Sequence, residues 1–161
     1  MTDWRQNFER LDGIYRSIHG GAALLDYLGE VPDFHDGEII SLELNRKGAS
    51  FLKIHTWSVK LVERKYDWTA ARHAIVTFTM EQVTDLQLDG FSHQNVINGL
   101  MIERAAPPPD RVTFIGTDDL ALSDFEINLE PCFGMDGRIR CKDVEITFVP
   151  HVPKGSLYEK L

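Results

Sequence analysis

Beyond residue 36 the apolar side chains of this chain recur at every second position, and that period of two restricts the fold more than any other feature. Ile40, Leu42 and Leu44, then Leu52 and Ile54, then Ala74, Val76, Phe78 and Met80 each line one face of an extended segment, as strands with one covered face require. Leu86 and Leu88 continue the pattern, and "DFEINLEPCFGMDGRIRCKDVEITFVP" carries it onward. Another short strand is expected in "RVTFIG", after the rigid "APPPD" connection, and one starting near Leu100 and Ile102. No helical pattern separates these segments, so nothing supplies the crossovers that a parallel sheet needs. The expectation is an α+β protein dominated by an antiparallel sheet of about seven or eight strands, either curved and closed by helices or folded into a sandwich.

Ahead of the sheet the period is helical. Trp4, Phe8, Leu11, Tyr15 and Ile18 recur at steps of four, three, four and three, which places them on one helical face. Thr2 or Asp3 can cap the start and Gly20-Gly21 the end. Gly13 costs about 1 kcal/mol relative to alanine, which makes it the point where this helix would break. "AALLDYLG" reads as a second short helix, closed by Gly29 and Pro32. A helical segment over about 2–29 and a β-rich body over about 36–152 then form a single domain, 1–161, long enough to bury a core without disulfides or structural metal.

Two hairpin registers can be assigned. If Lys47-Gly48-Ala49 form the first loop, Leu44 faces Leu52, Leu42 faces Ile54, and Glu43 faces Lys53 as a favourable charge pair. In the second hairpin Asp136-Gly137 suits a type I′ turn, which sets Phe125 against Phe148, Ile127 against Ile146 and Leu129 against Val144. That register also brings Cys132 opposite Cys141, where a disulfide would be strained, so reduced thiols are expected.

The stretch "VPDFHDGEIISLELNR" concentrates His35, Asp36 and Glu38, side-chain types suited to metal or acid-base work. Their nearest histidine in sequence is His55, which the first register sets opposite Ser41, on the order of 20 Å along the strand from His35; it is therefore excluded as a partner. His73 and His93 stand apart from other donors. Two readings of the cluster are open: a polar site, or a turn in which Asp36-Gly37 reverses the chain and Phe34 anchors it. Glu38 shares a face with Ile40 and Leu42, and a carboxylate directed at a core needs a partner. In "WSVKLVERKYDWTAARH", which reads as a long connection, Trp57, Tyr66 and Trp68 have the composition of a binding hot spot, or else cover the end of the sheet.

No nucleophile elbow, phosphate-binding glycine loop or C-x-x-C is present, so no catalytic residue, metal site or cofactor is assigned. A net charge of −8 repels a phosphate backbone, which argues against nucleic acid. There is neither a basic and apolar leader nor a run of about 18 apolar residues, so the expectation is a cytoplasmic chain without membrane contact. Long edge strands would invite cover by a second copy, as a homodimer.

The run of "PDFHDGEIISLELNR", "FLKIHTW", "AIVTFTMEQVTDLQLDGF" and "GRIRCKDVEITFVP" resembles a bacterial family of polymorphic-toxin immunity proteins, the type numbered fifty. The resemblance implies a small, mostly β cytoplasmic protein that binds and neutralises a cognate toxin without catalysis; a basic toxin domain would suit the acidic surface. The alternatives are a metal-dependent or acid-base enzyme centred on His35, Asp36 and Glu38, and a small-ligand binder with a pocket between the sheet and the first helix.

Overall fold

The structure is a computed structural model that describes residues 4–61, 68–105 and 124–155. Two helices, α1 (Trp4–Ser17) and α2 (Gly21–Leu28), precede six strands: β1 (Gly37–Glu43), β2 (Ser50–Leu61), β3 (Trp68–Asp89), β4 (Val96–Ala105), β5 (Asp124–Phe133) and β6 (Asp136–Val149). The strands are antiparallel throughout and close into a barrel in the order β1-β2-β3-β6-β5-β4. The α+β class is as the periodicity implies. Closure replaces both the open curved sheet and the sandwich, and it removes the free edges that gave the reason for a second copy.

The strand count falls to six among the described residues because the segments at 74–80 and 84–89 are one strand of 22 residues. A bulge at Thr84 shifts the register between Val83 and Asp85 without ending β3, and Gln82 just before it has φ 50°. The expected strand at 111–116, the Pro-rich connection before it, Tyr66 and the Thr2 or Asp3 cap lie outside the described residues.

Alternation does its expected work inside the barrel, where Ala74, Val76, Phe78 and Met80 are all fully buried, with Leu52, Ile54, Ile97, Ile102, Phe125, Ile127 and Ile139 packed around them. β4 starts at Val96, four residues ahead of the expected Leu100. α1 runs through Gly13 without a break, since the surrounding turns supply its hydrogen bonds and the glycine faces solvent. Only the end of its apolar stripe reaches the core: Tyr15 and Ile18 are buried, whereas Phe8 is 50% exposed. Gly20 then reverses the chain at φ 83°, and α2 packs Leu24, Leu25 and Leu28 into the core. Gly29 caps α2, its N–H donating to Leu25 O at 2.8 Å.

The second hairpin departs from its expected register. Phe125 pairs with Cys141, Ile127 with Ile139 and Leu129 with Gly137. The chain turns at Gly134 and Met135, and Asp136-Gly137 already belongs to β6, paired with Asp89 and Leu88 of β3. Gly137 is needed for close approach, because a Cβ there would sit 1.9 Å from Gln87 O. Cys132 is exposed and Cys141 buried; they are not opposed, and both thiols are free. Burial, reinforced by Asp124 and Asp143 against Arg104, pushes the Cys141 thiol up to about 12.

Candidate functional site

A one-residue bulge in β1 decides what the acidic end of "FHDGE" can reach. Near the turn Leu42 pairs with Leu52 and Ser41 with Lys53, two residues out of step with the expected register. Between Ser41 and Ile39 the register slips once more, so that Ile39 pairs with Ile54 and Glu38 with His55. Ile39 is buried and Ile40 is 44% exposed. The bulge thus reverses the facing of everything before it, and Glu38 lies on the face opposite the core rather than on the core face.

His55, excluded by the expected hairpin, is therefore the direct partner of Glu38. Its Nδ1 is 2.9 Å from Glu38 Oε2, and its Nε2 is 3.0 Å from His73 Nδ1. His73, read as isolated, comes from β3, which pairs with β2 along this stretch. The two imidazoles stack at 5.2 Å with an interplanar angle of 17°, and the Trp57 ring lies 5.2 Å from His55 and 5.7 Å from His73. His55 alternates with the buried Ile54 and Thr56 and so points away from the core, yet it is 0% exposed because these rings cover it. The backbone carbonyl of His73 accepts hydrogen bonds from Tyr27 Oη at 2.9 Å and from the His151 N–H at 3.2 Å, which ties the network to α2 and to the segment after β6.

With both imidazoles neutral, His55 donates from Nδ1 to the carboxylate and accepts at Nε2 from the Nδ1–H of His73. The carboxylate fixes the tautomer of one ring, and that ring fixes the next. The three groups lie end to end instead of converging on one point, which is the geometry of a hydrogen-bond relay. Among the described residues no group of three or more His, Cys, Asp or Glu is arranged to hold a metal ion.

Burial first, and then the neighbouring His55, hold the His73 imidazole below its ordinary value of 6.5, while Glu38 pulls the other way. A lowered folded-state value means that the unfolded chain binds more protons at acid pH. The contribution of His73 is complete above about 6.5 and declines as the pH falls from there towards the lowered folded value. Thermal unfolding of the wild type between pH 7.5 and 5 should show a steeper acid loss than that of His73→Gln, which keeps a donor for His55. Equal losses in the two proteins would remove His73 as the cause.

His35 and Asp36 lie in the turn that leads into β1. Asp33 Oδ1 accepts the His35 N–H at 2.9 Å, Phe34 O accepts the Gly37 N–H at 2.8 Å, and Phe34 and Asp36 both have φ 59°. Phe34 is buried, its ring 5.8 Å from Phe78. The His35 and Asp36 side chains, 3.2 Å apart, are each more than half exposed, and such a pair contributes little. Trp57 belongs to the histidine network. Trp68 opens β3 opposite Leu61, so the connection expected across 57–73 is largely a continuation of β2 and β3.

A second polar network crosses β3, β5 and β6. Asp124, 1% exposed, accepts from Thr84 Oγ1 at 2.8 Å and lies 3.0 Å from Lys142 Nζ. Glu126 pairs with Arg140 and accepts from Asn128 Nδ2, and Asp85 lies 3.7 Å from Arg138. The signal for it is present in the sequence. Asp124, Glu126 and Asn128 alternate on one strand as Arg138, Arg140 and Lys142 do on the next, and the observed register is one that matches their charges.

The fold and its site define a small antiparallel barrel with two helices packed into its core, in which buried Glu126 pairs with Arg140 and buried His55 with Glu38. The immunity protein 50 family model matches residues 21–149, from the first residue of α2 to the last of β6, and the chain belongs to that family. Neither the curated proteins nor the solved structures searched contain a match. The stretches that resembled the family fall within the matched span up to its last residue, with only Pro150 of the final stretch beyond it. Among the described residues no helix is long and apolar enough to cross a membrane.

Proposed function

We propose that this protein is a non-catalytic immunity protein that binds a cognate bacterial toxin in the cytoplasm and blocks it. The family match across residues 21–149 carries the reading. A net charge of −8 supports a basic toxin domain as the partner, since opposite charge accelerates encounter. The mutual pairing of Glu38, His55 and His73 supports binding over catalysis, because the central imidazole is covered by Trp57 and His73. Trp57, with Tyr66 and Trp68, remains a proposed contributor to the partner surface, and His35, Asp36 and Glu38 a proposed polar site whose role is to set β1.

The test is co-expression with toxin domains of polymorphic toxins, taken first from any toxin gene found adjacent to the gene for this chain. Growth should be restored by the wild type and the two proteins should co-purify as a complex. Continued toxicity with no complex, at matched expression, would end this reading.

A further inference from the structure

A groove of about 1030 Å³ is lined by α1, the segment at 31–33 and parts of β3, β4, β5 and β6. The apolar stripe of α1 is longer than the core it covers. Its last residues, Tyr15 and Ile18, are buried, while Phe8 and Leu11 reach the groove instead, opposite Leu100 and Met101 of β4. Phe8 is 50% and Met101 41% exposed, a high value for large apolar side chains that share one concave surface.

The groove is formed before anything enters it. Arg10 joins α1 to β4, with Nη1 3.0 Å from Glu103 Oε2 and Nη2 3.7 Å from Met101 Sδ. Burial of Tyr15 and Ile18 holds the other end of the helix. A partner therefore meets a preorganised surface.

Its charge is one-sided. Asp33, Glu130 and Asp136 line the groove and are exposed. Arg138 is the one cation among the described lining residues, and its Nη2 faces Asp85 Oδ2 at 3.7 Å. Two copies of this chain would bring like-charged rims together, whereas a cationic partner would be drawn in. The family match begins at Gly21, so α1, one wall of the groove, lies ahead of the matched span. A wall supplied by a segment outside the family's matched span is suited to distinguishing one partner from another.

From this surface we propose that the groove is the docking site for the toxin, taking from it an apolar side chain flanked by lysine or arginine, with α1 as the specificity element. The proposal rests on the immunity reading. Phe8 and Met101 grip the apolar anchor, and Asp33, Glu130 and Asp136 receive the flanking cations.

The experiment is calorimetric titration of the toxin domain that the co-expression test identifies into the full chain and into Phe8→Ala, Met101→Ala, Asp136→Lys and Glu81→Lys. The last is a control, since Glu81 pairs with Asp143 away from the groove. Circular dichroism and thermal melts confirm that each variant is folded. The two apolar truncations should each raise Kd roughly 30-fold or more, and Asp136→Lys roughly tenfold with a weaker salt dependence; Glu81→Lys should bind as the wild type does. Wild-type affinity in all three groove variants, with the wild type itself binding, overturns the docking site and leaves the immunity reading standing. No binding by the wild type overturns both. Sedimentation of the chain alone closes the remaining case: a wild-type dimer that Met101→Lys converts to monomer would assign the groove to a second copy.

Discussion

Gly20→Ala is expected to destabilise the protein by more than about 3 kcal/mol, lowering Tm by roughly 6 °C or more. At φ 83° and ψ −13° an alanine pays the left-handed penalty, on the order of 1–2 kcal/mol. The larger part is steric. A Cβ at this position would lie 1.8 Å from Ile146 O, a backbone atom of β6 that no rotamer change can move. Ile146 is also held here by its N–H, which donates to His19 O at 2.9 Å, so the helical connection is stitched to the barrel where the clash falls. Gly13→Ala is the contrasting substitution. Nothing lies within 4 Å of its Cβ position, α1 is continuous there, and the change should stabilise by about 0.4–1 kcal/mol. Urea and thermal melts followed by circular dichroism report both. A Gly20→Ala protein within 1 kcal/mol of the wild type would show that β6 can yield, and that the junction is not fixed by this contact.

The elements that follow a single period were legible. β3 announces itself because Ala74, Val76, Phe78 and Met80 leave no second way to bury four side chains, and α2 because Gly29 stops it. The hairpins were not, and for different reasons. In the first, Ile39 and Ile40 are adjacent, both β-branched and equally apolar, so either can face the core. The structure chooses Ile39 and leaves Ile40 and Leu44 44% and 45% exposed. Pairing by apolar match cannot anticipate a register that exposes two aliphatic side chains, and only the Glu38–His55 hydrogen bond that the bulge makes possible gives it a rationale. In the second, Asp136-Gly137 has the chemistry of a tight turn, but its glycine answers to the neighbouring strand β3 rather than to a reversal of the chain. There the charges were the better guide, because acidic and basic residues alternate on facing strands and the observed register sets them against each other, whereas the register of a turn at Asp136-Gly137 does not.

The candidate site suffered most from this, because its members come from three strands. Glu38 was singled out as a carboxylate in need of a partner, and the requirement was sound. The partner was missed because a two-residue offset at the turn and the one-residue bulge together moved His55 three residues along the strand. His73 was missed because β2–β3 pairing past residue 56 includes a second irregularity, between Thr56 and Ser58. Such bulges are local choices of the backbone, made where tertiary contacts reward them, and alternation alone carries no mark of them.

The Glu38–His55 pair should show a coupling energy of at least about 1 kcal/mol in a double-mutant cycle. Glu38→Leu removes the acceptor of a ring nitrogen on a side chain that is 0% exposed, and should cost about 1–3 kcal/mol. His55→Leu also gives up the contacts with His73 and Trp57, and should cost a similar amount or more. The Glu38 side chain it leaves is 18% exposed, so water can partly replace the lost donor. In the double variant neither polar group remains to be stranded, and two leucines can pack against the Trp57 ring where the pair stood. Its loss should therefore fall well short of the two single losses added together. His73→Leu in each background separates the relay from the pair. If the relay is one unit, the leucine should cost less once His55 is gone, since the hydrogen bond to His55 Nε2 is then already lost. Additive effects throughout would mean that the contacts are geometric neighbours with independent energies, and that the bulge in β1 needs another cause.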